Sequence, residues 1–303
     1  MSAVYHSGFY AMGTRLNLLL PSIDEEVGER VVHSIRHEVQ RIESLLSFFS
    51  RESEVSMVNR YAWREKYRIS EELFTLLETC IEFGQLTCGA FDVTMRPLLD
   101  FWKGTDSHTV DEETVKRLRE HLGYEKILLN KDDLSVKLEN DVIRIDLGGI
   151  GKGYALEKVR LLLSDVGIRN AFVSFGESSV LTVGRHPNGD CWKVGLRDHR
   201  APESSLQMFR MTDASLSTSS NVLVSENGDP KEHRHVIDPR TGFPILEPRM
   251  VGVVSDSPLQ AEALSTAFMI LNDSQIEGVK SVAPDIHVVK IEHFLESPVA
   301  HEL

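Results

Sequence analysis

The stretch Ile145-Asp146-Leu147-Gly148-Gly149-Ile150-Gly151-Lys152-Gly153-Tyr154-Ala155 puts a carboxylate, four glycines and a lysine at the junction of an apolar run and a helical pattern. Glycines let backbone N–H groups approach a ligand closely, and a helix N-terminus favours anions. A phosphate-bearing ligand suits that chemistry, with Lys152 as its counter-charge. A tight strand–helix connection with a solvated lysine is the other reading. Two familiar phosphate motifs do not fit: Gly153 stands where a P-loop needs Ser or Thr, and Gly149, Gly151 and Gly153 alternate singly rather than as G-x-G-x-x-G.

Two further stretches carry titratable groups. In Ser257-Pro258-Leu259-Gln260-Ala261-Glu262-Ala263-Leu264-Ser265-Thr266, Glu262 and Thr266 are i and i+4 and share a helix face. Together they can offer two oxygens to a hard cation such as Mg2+, or Glu262 is an ordinary acid near a helix N-terminus. In His233-Arg234-His235-Val236-Ile237-Asp238-Pro239-Arg240-Thr241-Gly242-Phe243-Pro244, His235 can act as a general base near neutral pH. The alternation of His233 and His235 also permits a metal, though no third ligand is evident, and a plain surface turn fits as well.

Gly89-Ala90-Phe91-Asp92-Val93-Thr94-Met95-Arg96 follows a helical pattern and can line a pocket or simply enter the core. In Leu46-Ser47-Phe48-Phe49-Ser50, a phenylalanine beside a polar turn can stack on a ring, against a default of core packing.

The elements that must position these groups follow from hydrophobic period and punctuation. Residues 8–20 read as a strand. Val31, Val32, Ile35, Val39, Ile42, Leu45 and Leu46 recur in steps of three and four, which predicts a helix over 25–46. The same pattern predicts a helix over 71–85 with Ser70 as its cap, and a third from near 111 to near 123. Residues 126–145 read as two strands joined by a polar turn at 130–133 and then a further strand. A glycine-rich loop spans 146–153, a helix 154–166 with Gly167 at its end, and a strand 171–175. Residues 180–254 are strand-rich, and the last clear helix covers 259–271. Helices and strands alternate without a strict βαβ rhythm, so the fold class is α+β rather than a doubly wound sheet.

Composition limits the partners. The 303 residues carry 33 Lys and Arg against 46 Asp and Glu, a net charge of −13. That argues against broad electrostatic binding of nucleic acid. Cys80, Cys88 and Cys191 form no C-x-x-C and are expected as small buried hydrophobes. No apolar run has the length of a membrane span, and residues 1–6 lack a basic segment leading into an apolar one, so the chain reads as cytoplasmic.

Taken in order, these segments resemble the ApbE family, the FAD:protein FMN transferases. The matching elements are Met12-Gly13-Thr14, the segment 46–59, Gly89-Ala90-Phe91-Asp92, the loop 146–155, the turn 235–244 and Ala261-Glu262-Ala263-Leu264-Ser265-Thr266. The resemblance implies a single α+β unit over residues 1–303, built of two related halves with the FAD site between them. It implies FAD as substrate and a divalent cation, usually Mg2+. It also implies a reaction in which the FAD pyrophosphate is cleaved, FMN passes to a threonine hydroxyl of a target flavoprotein, and AMP is released. By the same resemblance Met12, Phe49, Ala90, Phe91, Asp92, Asp146 and Lys152 would contact FAD. Gly149 (through its carbonyl), Glu262 and Thr266 would hold the metal. His235 would be the base or a ligand-orienting residue.

The chain departs from the family pattern at three places. Glu262 stands where Asp is usual, one methylene longer. Phe175-Gly176-Glu177-Ser178-Ser179 lacks the usual double glycine with acid, and Ser220 stands where glycine is common. The changes at Glu262 and Ser220 keep one alternative open, an FAD-binding protein without transfer. A second is an FAD pyrophosphatase that shares the site, lacks a protein acceptor and yields FMN and AMP.

Overall fold

A two-residue turn splits the single strand expected near the N-terminus. Met12 and Gly13 have φ of 50° and 75°, the left-handed pair that closes a twisted hairpin. Strand β1 (Val4–Ala11) therefore folds back on β2 (Thr14–Pro21), pairing Ala11 with Thr14. The structure is a computed structural model that describes residues 4–104, 110–197, 205–224, 230–232, 235–292 and 299–303.

Helix α1 (Glu25–Leu46) starts where Asp24 Oδ1 accepts from Val27 N at 2.8 Å, and its apolar stripe is buried as its period requires. The elements α2 (Glu54–Tyr61), β3 (Tyr67–Arg68) and α3 (Glu71–Leu86) follow. Ser70 caps α3, accepting from Leu73 N at 3.2 Å. Next come α4 (Arg96–Gly104) and α5 (Glu112–His121), the latter capped by Asp111. Strands β4 (Ile127–Asn130) and β5 (Ser135–Leu138) form the expected hairpin. The further strand does not form: among the described residues, 139–146 contribute only a bridge from Arg144 to Met95.

Helix α6 (Gly151–Asp165) begins three residues before the expected start, so Lys152 and Gly153 lie in its first turn rather than in a loop. Then come β6 (Ala171–Phe175), β7 (Ser179–Val183), β8 (Trp192–Arg197), β9 (Ser205–Met211), β10 (Ser215–Ser220), β11 (Val222–Val224), β12 (Pro230–Glu232) and β13 (Arg249–Ser255). Helix α7 (Pro258–Phe268) ends three residues early. It is followed by α8 (Asp273–Val282), β14 (His287–Glu292) and β15 (Val299–Glu302).

The architecture is α+β. Among the described residues, an eight-stranded antiparallel sheet runs in the order β1-β2-β6-β7-β10-β13-β14-β15. Helices α1, α6 and α7 pack together against this sheet over the larger core, which includes Leu16, Leu18, Ile35, Val173, Leu264 and Phe268. The β8–β9 ribbon builds a second core with Val194, Leu196, Phe209, Leu216 and Ile291. No described helix is long and apolar enough to cross a membrane.

Candidate active site

The site begins at the crossing of α6 and α7. A Cβ on Gly153 would come within 2.6 Å of the Pro258 carbonyl oxygen and 2.8 Å of Glu262 Cβ. Only glycine lets the two helices approach this closely. The approach brings Lys152 Nζ against Glu262 Oε1 as an ion pair. Glu262 is 4% exposed, so its charge is compensated inside the fold. Its other oxygen, Oε2, accepts from Ser179 Oγ at 2.6 Å and from Ser217 Oγ at 3.1 Å.

Serines extend this polar patch. Ser265 Oγ donates to Ser217 Oγ at 3.1 Å, and the Ser219 and Ser265 hydroxyls lie 3.0 Å apart. Ser219 is also 3.5 Å from Thr266 Oγ1. Ser217 and Ser219 share one face of β10 because strand side chains alternate. That face looks onto α7, where a hydrophobic strand would present aliphatic groups. The signal was in the sequence: Ser215-Leu216-Ser217-Thr218-Ser219 puts serine at every second position.

The glycine-rich segment closes over this patch. A Cβ on Gly149 would lie 3.9 Å from Thr266 Oγ1 and 3.8 Å from Phe91 Cε2, so Gly149, Thr266 and Phe91 are neighbours. A Cβ on Gly151 would lie 3.0 Å from Met12 Cε, which places the β1–β2 turn at the same helix end. Asp146 Oδ1 accepts from Gly148 N at 2.9 Å and shapes the entry to the segment.

The Gly89–Asp92 turn lies alongside. Asp146 N donates to Val93 O at 2.8 Å, and Met95 bridges Arg144 in parallel. Ala90 and Phe91 are buried. Asp92 accepts from Thr94 N and Thr94 Oγ1, both at 2.7 Å, and from Tyr124 N at 3.0 Å. Burial nevertheless pushes its carboxyl up to about 6, with the hydrogen bonds from Thr94 and Tyr124 opposing the shift. Its described partners hold the turn; the Lys152–Glu262 pair is not among them.

Arg96 is the residue that sequence reasoning passed over. Its Nη1 donates to Asp146 Oδ2 at 3.1 Å and its Nε to Asp100 Oδ1 at 2.8 Å. Its guanidinium lies 4.1 Å from the Phe48 ring centroid and 5.1 Å from that of Phe49. Phe49 is 80% exposed, so it is a rim aromatic rather than a core one. Arg96 thus ties Asp146 to that aromatic pair.

The turn 235–244 reaches the same region through Arg240 and Gly242. A Cβ on Gly89 would lie 3.9 Å from Arg240 Cγ, and Trp102 Nε1 donates to Gly242 O at 2.8 Å. Asp238 accepts from Arg240 N, Nε and Nη2 at 2.8–2.9 Å, which stiffens the turn. His235 is partly exposed at its start. His233 lies outside the described residues.

No group of three or more His, Cys, Asp or Glu fit to hold a metal occurs among the described residues. Glu262 and Thr266 bring a carboxylate and a hydroxyl one turn apart on α7, and the backbone of Gly149 neighbours Thr266. These hard oxygens match Mg2+, which is usually held by few protein ligands together with substrate phosphates and water.

The sequence model of the ApbE family matches residues 12–289. The chain is similar to the FAD:protein FMN transferase of Escherichia coli strain K12, 26% identical over 276 residues that cover 88% of this chain and 78% of that protein. It is 29% identical over 267 residues to an FAD:protein FMN transferase of Klebsiella pneumoniae strain 342, covering 87% and 81%. Among solved structures, the flavin transferase ApbE from Vibrio cholerae matches with a TM-score of 0.84 at 22% identity, over 100% of this chain and 97% of that one. The ApbE protein from Thermotoga maritima matches at 0.83 and 24%, over 99% and 97%. At such identity the structural likeness speaks for the fold alone.

Proposed function

The chain belongs to the ApbE family, and from that premise we propose that it is an FAD:protein FMN transferase. The whole chain acts as one unit that moves FMN from FAD to a threonine hydroxyl of a target flavoprotein and releases AMP. The observation that carries this reading is the crossing of the α6 N-terminus with α7, which pairs Lys152 with Glu262 and sets Gly149 beside Thr266. A pyrophosphate placed there meets a helix N-terminus, a lysine and hard oxygen donors for a cation.

In this reading the acceptor oxygen forms a bond to the FMN phosphorus while the P–O bond to the AMP phosphate breaks. The AMP oxygen keeps the bond's electron pair. His235 takes the threonine proton. Lys152 neutralises phosphate charge, and Asp146 and Arg96 hold the entry of the ligand loop. Met12, Ala90, Phe91 and Asp92 line the flavin nucleotide, and Phe49 stacks on the isoalloxazine from the rim. The Gly149 carbonyl, Glu262 and Thr266 would hold Mg2+, which supplies charge neutralisation on the phosphate oxygens.

The test is incubation of the protein with FAD, Mg2+ and a flavoprotein domain carrying an acceptor threonine. Flavin fluorescence on the acceptor band after denaturing electrophoresis, with one AMP per flavin attached, is expected. Free FMN and AMP with no labelled acceptor would instead identify a pyrophosphatase. Bound FAD with neither product would identify a binding protein.

A further inference from the structure

The two oxygens of Glu262 are held in different ways. Oε2 is fixed by two neutral hydroxyls, Ser179 and Ser217, at 2.6 and 3.1 Å. Oε1 is held by Lys152. The Glu262 side chain is 5% exposed and the Lys152 side chain 22%, so the lysine stands between the carboxylate and the open side of the site. A divalent cation arriving at Oε1 would meet the ammonium already there, and two cations against one carboxylate oxygen repel strongly where water is scarce.

Resting on the reading of Glu262 as a metal ligand, we propose that Lys152 is a tethered counter-ion that occupies the cation position until a pyrophosphate arrives. The ligand's phosphates then draw the ammonium off Oε1, and the metal takes its place. Lysine suits this exchange, being a compact charge on a flexible four-carbon stem. The serines keep the carboxylate oriented while its partner changes. Glu262 extends far enough to touch both serines and the lysine at once. Metal and nucleotide therefore load as a coupled pair, and each must strengthen the other's binding by the same factor.

The consequence is that removing a positive charge improves binding of a positive ion, without nucleotide, by the removed competition. The test follows free Mn2+ by electron paramagnetic resonance, with Mn2+ standing in for Mg2+ and ADP supplying the pyrophosphate. Lys152→Met is expected to bind Mn2+ about tenfold tighter than wild type in the absence of ADP, a typical size for such coupling. Its gain on adding ADP should shrink correspondingly. Mn2+ alone should raise its unfolding temperature, since the ion replaces the missing partner of Glu262, and should leave that of the wild type unchanged. Lys152→Arg, which keeps the charge, should stay as weak as wild type. If methionine at 152 prevents folding, Lys152→Gln, whose amide can still donate to Oε1 and support the fold, carries the same expectation because it too lacks the charge. Wild type that binds Mn2+ with ADP, beside a neutral variant that binds it no tighter without ADP, would overturn the exchange and leave the metal site standing. Absence of Mn2+ binding in every protein, with or without ADP, would overturn both.

Discussion

Asn59 and Ile145 exchange two hydrogen bonds across 86 residues of chain: Asn59 Nδ2 donates to Ile145 O at 2.8 Å, and Ile145 N donates to Asn59 Oδ1 at 2.7 Å. A side-chain amide thereby stands in for a neighbouring strand, just before Asp146. The Ile145 backbone is satisfied in this way without a neighbouring strand on that side, although the pattern of the segment reads as a strand.

Asn59→Ala leaves a buried N–H and a buried C=O without partners. The expected cost is about 2–6 kcal/mol, since each of the two unsatisfied buried groups costs roughly 1–3 kcal/mol. FAD affinity should fall with it, because the segment leading to Asp146 loses its anchor. Urea denaturation with a parallel FAD titration measures both.

Arg96 orders Asp146 and backs Phe49. Arg96→Lys keeps a charge but gives up the planar stack and the fixed donors. FAD dissociation should become about tenfold faster. Because the Arg96 side chain is only 11% exposed and holds both Asp100 and Asp146, stability should fall as well, by about 1–3 kcal/mol. Stopped-flow displacement of FAD, read by flavin fluorescence, is the check. An unchanged rate would separate Arg96 from ligand binding.

Glu262 uses its full reach, touching Lys152, Ser179 and Ser217 at once. Shortening it by one methylene cannot keep Lys152, Ser179 and Ser217 in contact together. Glu262→Asp should therefore lower both the unfolding temperature and Mg2+-dependent cleavage of FAD. Activity that rises on this change would show that the backbone has not adapted to glutamate.

Glu72 links α3 to α1 and α6. It accepts from Arg41 Nη1 and Nη2 at 2.7 and 2.8 Å and from Tyr154 Oη at 2.6 Å. Hydrogen bonds from Arg41 lead the effect that holds its carboxyl down at about 2, against desolvation. Its pKa is lower folded than unfolded, so this stabilisation is full above about pH 4.5 and fades as pH falls toward 2. Glu72→Gln should lose about 1 kcal/mol at pH 7 after allowance for solvent screening. The two proteins should converge in unfolding temperature near pH 2. A difference that persists in acid would mean that packing, not charge, is lost.

Local signals were readable wherever a helix announces its own face and cap. Helix α1 begins and ends at the expected residues, and Ser70 and Asp111 cap as their types require. Helices α2 and α4 escaped because eight or nine residues give little more than two turns of pattern. Helix α8 carried a legible start in Asn272 and Gln275, which form a capping box. The β1–β2 hairpin hid behind an unbroken alternation, although Met12-Gly13 is a turn that needs positive φ.

At the site, the residue types could be read but their pairing could not. Lys152 and Glu262 are separated by 110 positions, and they meet only because Gly153 lets α6 and α7 touch. The sequence therefore offered the lysine to the ligand and the glutamate to the metal as separate groups. The structure joins them. Arg96 was masked by its place in a run that also fits a core-entering loop.

The most direct test of the account is chromatography of the products formed from FAD with Mg2+ and acceptor by wild type and by Glu262→Gln, which keeps size and removes the charge. The account predicts AMP release by the wild type that requires Mg2+, and none above background by the variant, with its circular dichroism unchanged. Full Mg2+-dependent AMP release by Glu262→Gln would contradict it.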